Sequence, residues 1–260
     1  ENTNCLILAA DHLISDDSSF IDDVHLASDL ADNDSIVLFG INPTKPDTGY
    51  GYIKVGNSLK VPQKVENFYE KPDINTATKY LLEGCYYWNS GMFFFSAKTM
   101  IRNLDEICID LSYLAKEIFE SKICKENTIK FKKDSFSKFP NISIDYAVME
   151  KSKNIMNIPC NFGWSDVGSW DSISKSYTSK EDKNSSNIIN DEYLINIDTD
   201  NTHIECESHI PKIVATIGLS DTFIIDTPDA LLVGKKSESQ NVKQVIDMLK
   251  EKNNSFEEVT

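Results

Sequence analysis

The 260 residues carry 41 Asp and Glu against 26 Lys and Arg, a formal net charge of −15 at pH 7. Such a chain repels phosphate backbones, which speaks against nucleic acid and anionic membrane as partners, although a metal ion can still bridge it to a nucleotide. Apolar residues at 40%, with 13 Phe and 10 Tyr among them, argue against wholesale disorder and provide for one large domain, or one domain with a small second one.

Cys5 to Ala10 is an unbroken apolar run that predicts a strand buried on both faces, as in a parallel sheet. Phe20, Val24, Ala27 and Ala31 recur at helical spacing in an acidic stretch, and Ile36 to Phe39 is a second apolar strand, closed by Gly40. Strand, helix, strand at this length is a βαβ unit, so the class is α/β. Pro43, Pro46, Gly49 and Gly51 punctuate a loop that leads into a strand at Tyr52-Ile53. Val65 to Tyr69 alternates as a strand ended by Pro72; Ala77, Tyr80 and Leu81 predict a short helix, and Phe93 to Phe95 another strand. Helical patterns follow around 97–104, 111–120 and 143–150, the last with Ser143 as N-cap and Asp145 in its first turn. Ile155 to Ile158 reads as a strand, followed by a Gly-flanked loop at 163–168. The composition turns polar at 179–191, where a boundary is expected. That gives an α/β domain over 1–184, a small all-β unit over 185–236, and a terminal helix with linker over 237–260. The β unit rests on short runs at Tyr193–Ile197, Ile213–Ile217, Phe223–Ile225 and Ala230–Val233. Val242, Val245, Ile246 and Leu249 share one face of the helix, the tail from Asn253 is polar, and no internal repeat stands out.

Six Cys, at positions 5, 85, 108, 124, 160 and 206, lack the close spacing of a metal knuckle or redox motif. They are read as reduced, mostly buried thiols of a cytoplasmic protein. No run is long and apolar enough to span a bilayer, and no signal peptide is visible. The first residue is Glu1, not Met, which fits a piece of something longer.

Several residues could carry chemistry, each with a plainer reading beside it. Asp11 follows a predicted strand directly, where open α/β sheets bind ligands, but an Asp there also caps helices and makes turns. Asp166 lies between two glycines and two tryptophans in Gly163 to Trp170; it is either a walled ligand site or a solvated turn. Brought together by the fold, the two carboxylates would suit Mg²⁺. In Glu70-Lys71-Pro72, the Glu can accept from two sugar hydroxyls and the Lys can meet a phosphate; a surface ion pair before a Pro stop is the alternative. Asn89, in Trp88-Asn89-Ser90-Gly91, suits hydroxyls, or the segment is a turn before a core strand. Gly49 and Gly51 let backbone approach a ligand, or simply turn. The four His make no metal-like spacing and are read as structural.

The order of these signals is specific where each alone is weak. Ala10-Asp11-His12, Pro43 to Pro46 leading to Thr48-Gly49-Tyr50-Gly51-Tyr52-Ile53, and Phe68-Tyr69-Glu70-Lys71-Pro72 occur in turn. Tyr87 to Phe93, Ser143 to Glu150, Gly163 to Trp170 and Asp226 to Val233 follow them. Together they resemble the mannose-1-phosphate guanylyltransferases over about residues 5 to 250. The resemblance implies a Rossmann-like nucleotidyltransferase domain, a small β-solenoid-like unit and a reaction joining GTP and mannose 1-phosphate with Mg²⁺. By it, Asp11 and Asp166 are metal ligands, Glu70 and Asn89 hold mannose hydroxyls, and Lys71 meets the sugar phosphate. Gly51 touches the sugar through its backbone, and Asp145 stands behind them. It leaves room for a homo-oligomer and for a C-terminal phosphomannose isomerase domain. The family's opening Gly-rich phosphate loop has no counterpart here, so the domain is expected to be N-terminally truncated and the 260 residues alone inactive. A related enzyme of other base or sugar specificity, or a non-catalytic sugar-nucleotide sensor, remains an alternative.

Overall fold

The computed structural model describes residues 3–57, 61–126, 128–168, 170–177, 184–187, 193–207 and 212–251, and its contacts divide the chain into two units, Glu1–Trp164 and Ser165–Thr260. The expected boundary stretch at 179–191 falls largely outside the described residues, as do Ser169, His209 and the tail from Asn253.

The first unit is built on a mixed six-stranded sheet in the order Asn4–Ile7, Tyr86–Ser96, Ile36–Ile41, Ile155–Cys160, Gln63–Tyr69, Tyr52–Val55. Ile36–Ile41 lies inside it, parallel to Ile155–Cys160 and antiparallel to Tyr86–Ser96, which is why its apolar run is buried on both faces. Its alternate residues feed two cores. Ile36 and Leu38 pack with Phe93, Phe95, Val148 and Ile155; Val37 and Phe39 pack with Ala27, Ala31, Met92 and Ile158. The second core is covered by the helix Asp17–Ala31, whose N-cap Asp16 accepts from Ser19 N–H at 3.1 Å. The helix Ile74–Glu83 is capped by Asp73 and stopped by Gly84 at φ 70°. Burial of each large apolar side chain contributes about 1.5–3 kcal/mol.

Several expectations change. The run at 5–10 forms only the short strand Asn4–Ile7. Among the described residues it sits at the sheet edge, antiparallel to Tyr86–Ser96, with Ile7 and Leu8 exposed. Gly40 does not end its strand, which runs on to Ile41. The segment Trp88–Gly91 is no turn: it lies within the 11-residue strand Tyr86–Ser96. Leu38 faces Phe93 there while Gly40 faces Asn89, four residues back instead of two. Gly91 makes this bulge with φ 71°, a conformation that favours glycine. Asp145–Met149 is a π-helical turn whose N-cap is Ile144, with Ser143 Oγ accepting from Tyr146 N–H at 3.5 Å. All six Cys are free, but only Cys160 is buried and Cys124 is exposed, so the thiols are not mostly buried.

The second unit is a stack of short parallel strands. Ser185–Asn187, His203–Cys206 and Thr222–Asp226 pair in parallel, with Leu231–Lys235 antiparallel at the edge. Leu194–Ile197 and Val214–Ile217 pair in parallel as a second layer. Leu194 pairs with Val214, Asp200 with Ser220 and His203 with Phe223, each twenty residues apart. The chain therefore does contain a repeat: Ile197 to Ile204 and Ile217 to Ile224 trace the same coil. Asp198 and Gly218 turn at positive φ, as do Asn201 and Asp221. Ile197 and Ile217, Thr202 and Thr222, and Ile204 and Ile224 recur, while the other five positions of the eight differ. The helix Val242–Glu251 follows. Among the described residues no helix is long and apolar enough to cross a membrane.

Candidate functional site

Strand register assembles the centre of the site. Tyr52 is paired with Tyr69 on one side and Trp88 on the other. One step further along these antiparallel ladders, Gly51 stands between Glu70 and Asn89, and the Asn89 N–H donates to Gly51 C=O at 2.8 Å. The missing side chain is required there. A Cβ on Gly51 would lie 2.6 Å from Glu70 Oε2, 3.1 Å from Phe68 Cζ and 3.4 Å from Asn89 Cβ. The Lys71 ammonium sits 3.2 Å from Glu70 Oε1, with Lys71 at φ 44° just before Pro72. Asn89 Nδ2 donates to Asp145 Oδ1 at 3.0 Å, and Asn89 Oδ1 accepts from Gly91 N–H at 3.2 Å. Burial, followed by the nearby Glu70 carboxylate, holds the Asp145 carboxyl above the usual range, against the opposing pull of Asn89 and Lys71. Five predicted site residues, Gly51, Glu70, Lys71, Asn89 and Asp145, thus converge: a small bed of two carboxylates, an amide, a cation and open backbone. Such a set can accept from and donate to hydroxyls and meet one anion.

Asp11 and Asp166 fall in different units. Asp11 is exposed in the bend beyond Asn4–Ile7. Asp166 is half-buried, its Oδ1 accepting from Gly168 N–H at 3.2 Å across a turn in which Val167 takes φ 49°. Both offer hard carboxylate oxygens, the donor chemistry a divalent cation such as Mg²⁺ takes.

The aromatic wall expected of the loop tryptophans is built by Trp164 with Tyr50 and Trp88 of the first unit, partners that sequence reasoning missed. Tyr50 lies 5.0 Å from Trp88 and 5.5 Å from Trp164, ring centre to ring centre. Trp164 in turn donates its indole N–H to His12 Nδ1 at 3.1 Å. The two loop tryptophans do not share one unit: Trp170 opens the helix Trp170–Tyr177 of the second. Asn157, fully buried and without a hydrogen-bond partner among the described residues, leans over Gly40, where a Cβ would overlap its carboxamide. The signal for Asn157 was legible as a lone amide in an apolar strand; His12 stood in the Ala10-Asp11-His12 motif but was read as structural.

A mixed sheet with helices on both faces, followed in sequence by stacked parallel β coils, defines an α/β protein with a β-helical second unit. Residues 1–183 match the nucleotidyl transferase family model, and the chain belongs to that family. Residues 192–249 match the MannoseP isomerase/GMP-like beta-helix domain. The chain is 37% identical over 260 residues to a mannose-1-phosphate guanylyltransferase of Salmonella montevideo, covering 97% of this chain and 54% of that protein. It is 38% identical over 245 residues to the xanthan biosynthesis protein XanB of Xanthomonas campestris pv. campestris (strain B100), covering 94% and 50%. The chain spans about half the length of the curated relatives it matches. A Thermus thermophilus crystal structure, described as a mannose-1-phosphate geranyltransferase, superposes with a TM-score of 0.81 at 27% identity, covering 95% of this chain and 70% of that one. A Helicobacter pylori structure described as a mannose-6-phosphate isomerase gives 0.58 at 30% identity, covering 62% and 64%.

Proposed function

We propose that this chain carries the sugar-binding and metal-binding part of an enzyme that joins GTP and mannose 1-phosphate into GDP-mannose and pyrophosphate. The observation that carries the reading is the register placing Gly51 between Glu70 and Asn89, with Lys71 and Asp145 bracing the pair. The names of the relatives support the substrates. In this reading Asn89 and Glu70 hold mannose hydroxyls, Gly51 admits the ring against its backbone, and the Lys71 ammonium meets the sugar phosphate. Asp145 fixes the Asn89 amide. Asp11 and Asp166 would hold Mg²⁺, which when bound supplies charge neutralisation at the reacting phosphates. A phosphate oxygen of mannose 1-phosphate attacks the α-phosphorus of GTP; that P–O bond forms and the bond to pyrophosphate breaks. The attacking oxygen is already deprotonated near neutral pH, so no general base is needed, and the residues act by positioning and electrostatics. The division near residue 184, a cytoplasmic location and an isomerase segment elsewhere in the complete protein belong to the same proposal. The H. pylori neighbour and the β-helix family description support the isomerase.

The test is product analysis. The purified complete protein is supplied with Mg²⁺ and a panel of nucleoside triphosphates and hexose 1-phosphates, and products are read by mass spectrometry. GDP-mannose with equimolar pyrophosphate is the expected dominant product. Preference for another base or sugar would replace this reading with a related specificity.

A further inference from the structure

We propose that His12 is a further hexose-contacting residue of this pocket and that Trp164 acts through it as a positioning residue; the proposal rests on the sugar-phosphate reading above. The Trp164 indole N–H donates to His12 Nδ1 at 3.1 Å, and the rings meet edge to face with centroids 5.3 Å apart and planes at 86°. A nitrogen that accepts cannot carry the proton of a neutral imidazole, so that proton lies on Nε2. Among the described residues no hydrogen bond to His12 Nε2 is formed. The imidazole is half-buried, so its open donor is neither a core contact nor a freely solvated one.

Its position names the ligand. His12 Cε1, the carbon between the two nitrogens, lies against Gly91: a Cβ there would stand 3.9 Å away. The Gly91 N–H is itself bound to Asn89 Oδ1, so the imidazole borders the segment that carries the hydroxyl-reading amide. The wall of Trp164, Tyr50 and Trp88 continues from the same indole. A pyranose presents an apolar C–H face and a rim of hydroxyls; aromatic rings with one oriented donor match that surface. A phosphate would call for a cation, and in this bed that part falls to Lys71 and not to the imidazole. The Nε2–H therefore donates to a hexose hydroxyl oxygen, and the indole fixes the tautomer and ring plane that make it a donor.

Calorimetric titration with mannose 1-phosphate and, separately, with inorganic phosphate tests this. His12→Phe keeps a planar ring and loses the donor. It is expected to weaken mannose 1-phosphate binding about 2- to 10-fold, the range of one neutral hydrogen bond, and to leave phosphate binding unchanged. His12→Gln, whose amide N–H reaches toward the Nε2 position, is expected to restore most of the loss. Trp164→Phe is expected to weaken the sugar phosphate likewise and to shift the His12 imidazole ¹⁵N resonances away from the pure Nε2–H form. A merely structural indole would leave those resonances in place. Unchanged affinity in folded His12→Phe, or equal loss for both ligands, overturns the proposal. If His12→Phe does not fold, equal affinities in the parent, His12→Gln and Trp164→Phe, with unmoved ¹⁵N resonances, overturn it. A parent protein that binds no mannose 1-phosphate overturns the underlying functional reading, an outcome distinct from a parent that binds and variants that bind equally.

Discussion

Gly51→Ala adds one carbon where the register leaves room for none. Its Cβ would lie 2.6 Å from Glu70 Oε2 and 3.1 Å from Phe68 Cζ. Phe68 is buried and packed in the core, at 7% exposure, so it yields little. The Glu70 carboxylate is the far end of a flexible side chain, so it moves instead, leaving its place beside the Lys71 ammonium at 3.2 Å. The fold should tolerate this: overpacking costs about 1–3 kcal/mol, and a mobile carboxylate puts the change toward the low end. Function should not. A displaced charged hydrogen-bonding group loses about 1.5–3 kcal/mol of binding, which is about 10- to 150-fold in kcat/KM for the sugar phosphate. In the complete protein, thermal unfolding reads the first quantity, and pyrophosphate release with mannose 1-phosphate varied at saturating GTP reads the second. A variant that melts like its parent with unchanged kcat/KM for mannose 1-phosphate would refute the placement of Glu70 beside the substrate.

In the complete protein, Asp11→Asn and Asp166→Asn are nearly isosteric and should each cut turnover strongly while leaving the melting temperature in place, because a neutral amide holds Mg²⁺ poorly. Near-normal turnover of either variant across a magnesium titration removes that residue from the metal site. His203 in the second unit is buried, and burial first, then the Lys236 ammonium, push its pKa down to about 4. Its folded form prefers the neutral ring, so its stabilisation is complete above the usual value of about 6.5 and is lost as pH falls toward about 4, roughly 3 kcal/mol in all. Denaturant unfolding between pH 7 and pH 4 should show a shallower fall in His203→Leu than in the parent; parallel curves would exclude His203 as the cause.

Local patterns fixed much of the secondary structure. The spacing of Phe20, Val24, Ala27 and Ala31 suffices for the helix Asp17–Ala31, and the β-branched run at Ile36 suffices for an interior strand. The ordered motifs also named the site candidates Gly51, Glu70, Lys71, Asn89 and Asp145 by resemblance, and the fold brings these five together. Pattern failed at 5–10, where an apolar run promised burial on both faces but, among the described residues, the strand pairs with Tyr86–Ser96 alone and stands at the edge. It failed again at Ser90–Gly91, where a turn-like pair is a bulge inside a long strand. A period of two says which side chains share a face and nothing about which strand lies alongside. Only the tertiary pairing of Tyr52 with both Tyr69 and Trp88 places Glu70 and Asn89 on either side of Gly51. Only the same packing brings Trp164 to His12, 152 residues away in sequence, and gives the imidazole of the Ala10-Asp11-His12 motif, read from spacing as structural, a defined hydrogen-bond partner. The twenty-residue coil of the second unit escaped notice for a related reason. Its copies share the residues Ile197/Ile217, Thr202/Thr222 and Ile204/Ile224 but differ at the other five positions of the eight, where several residue types satisfy the same backbone corners.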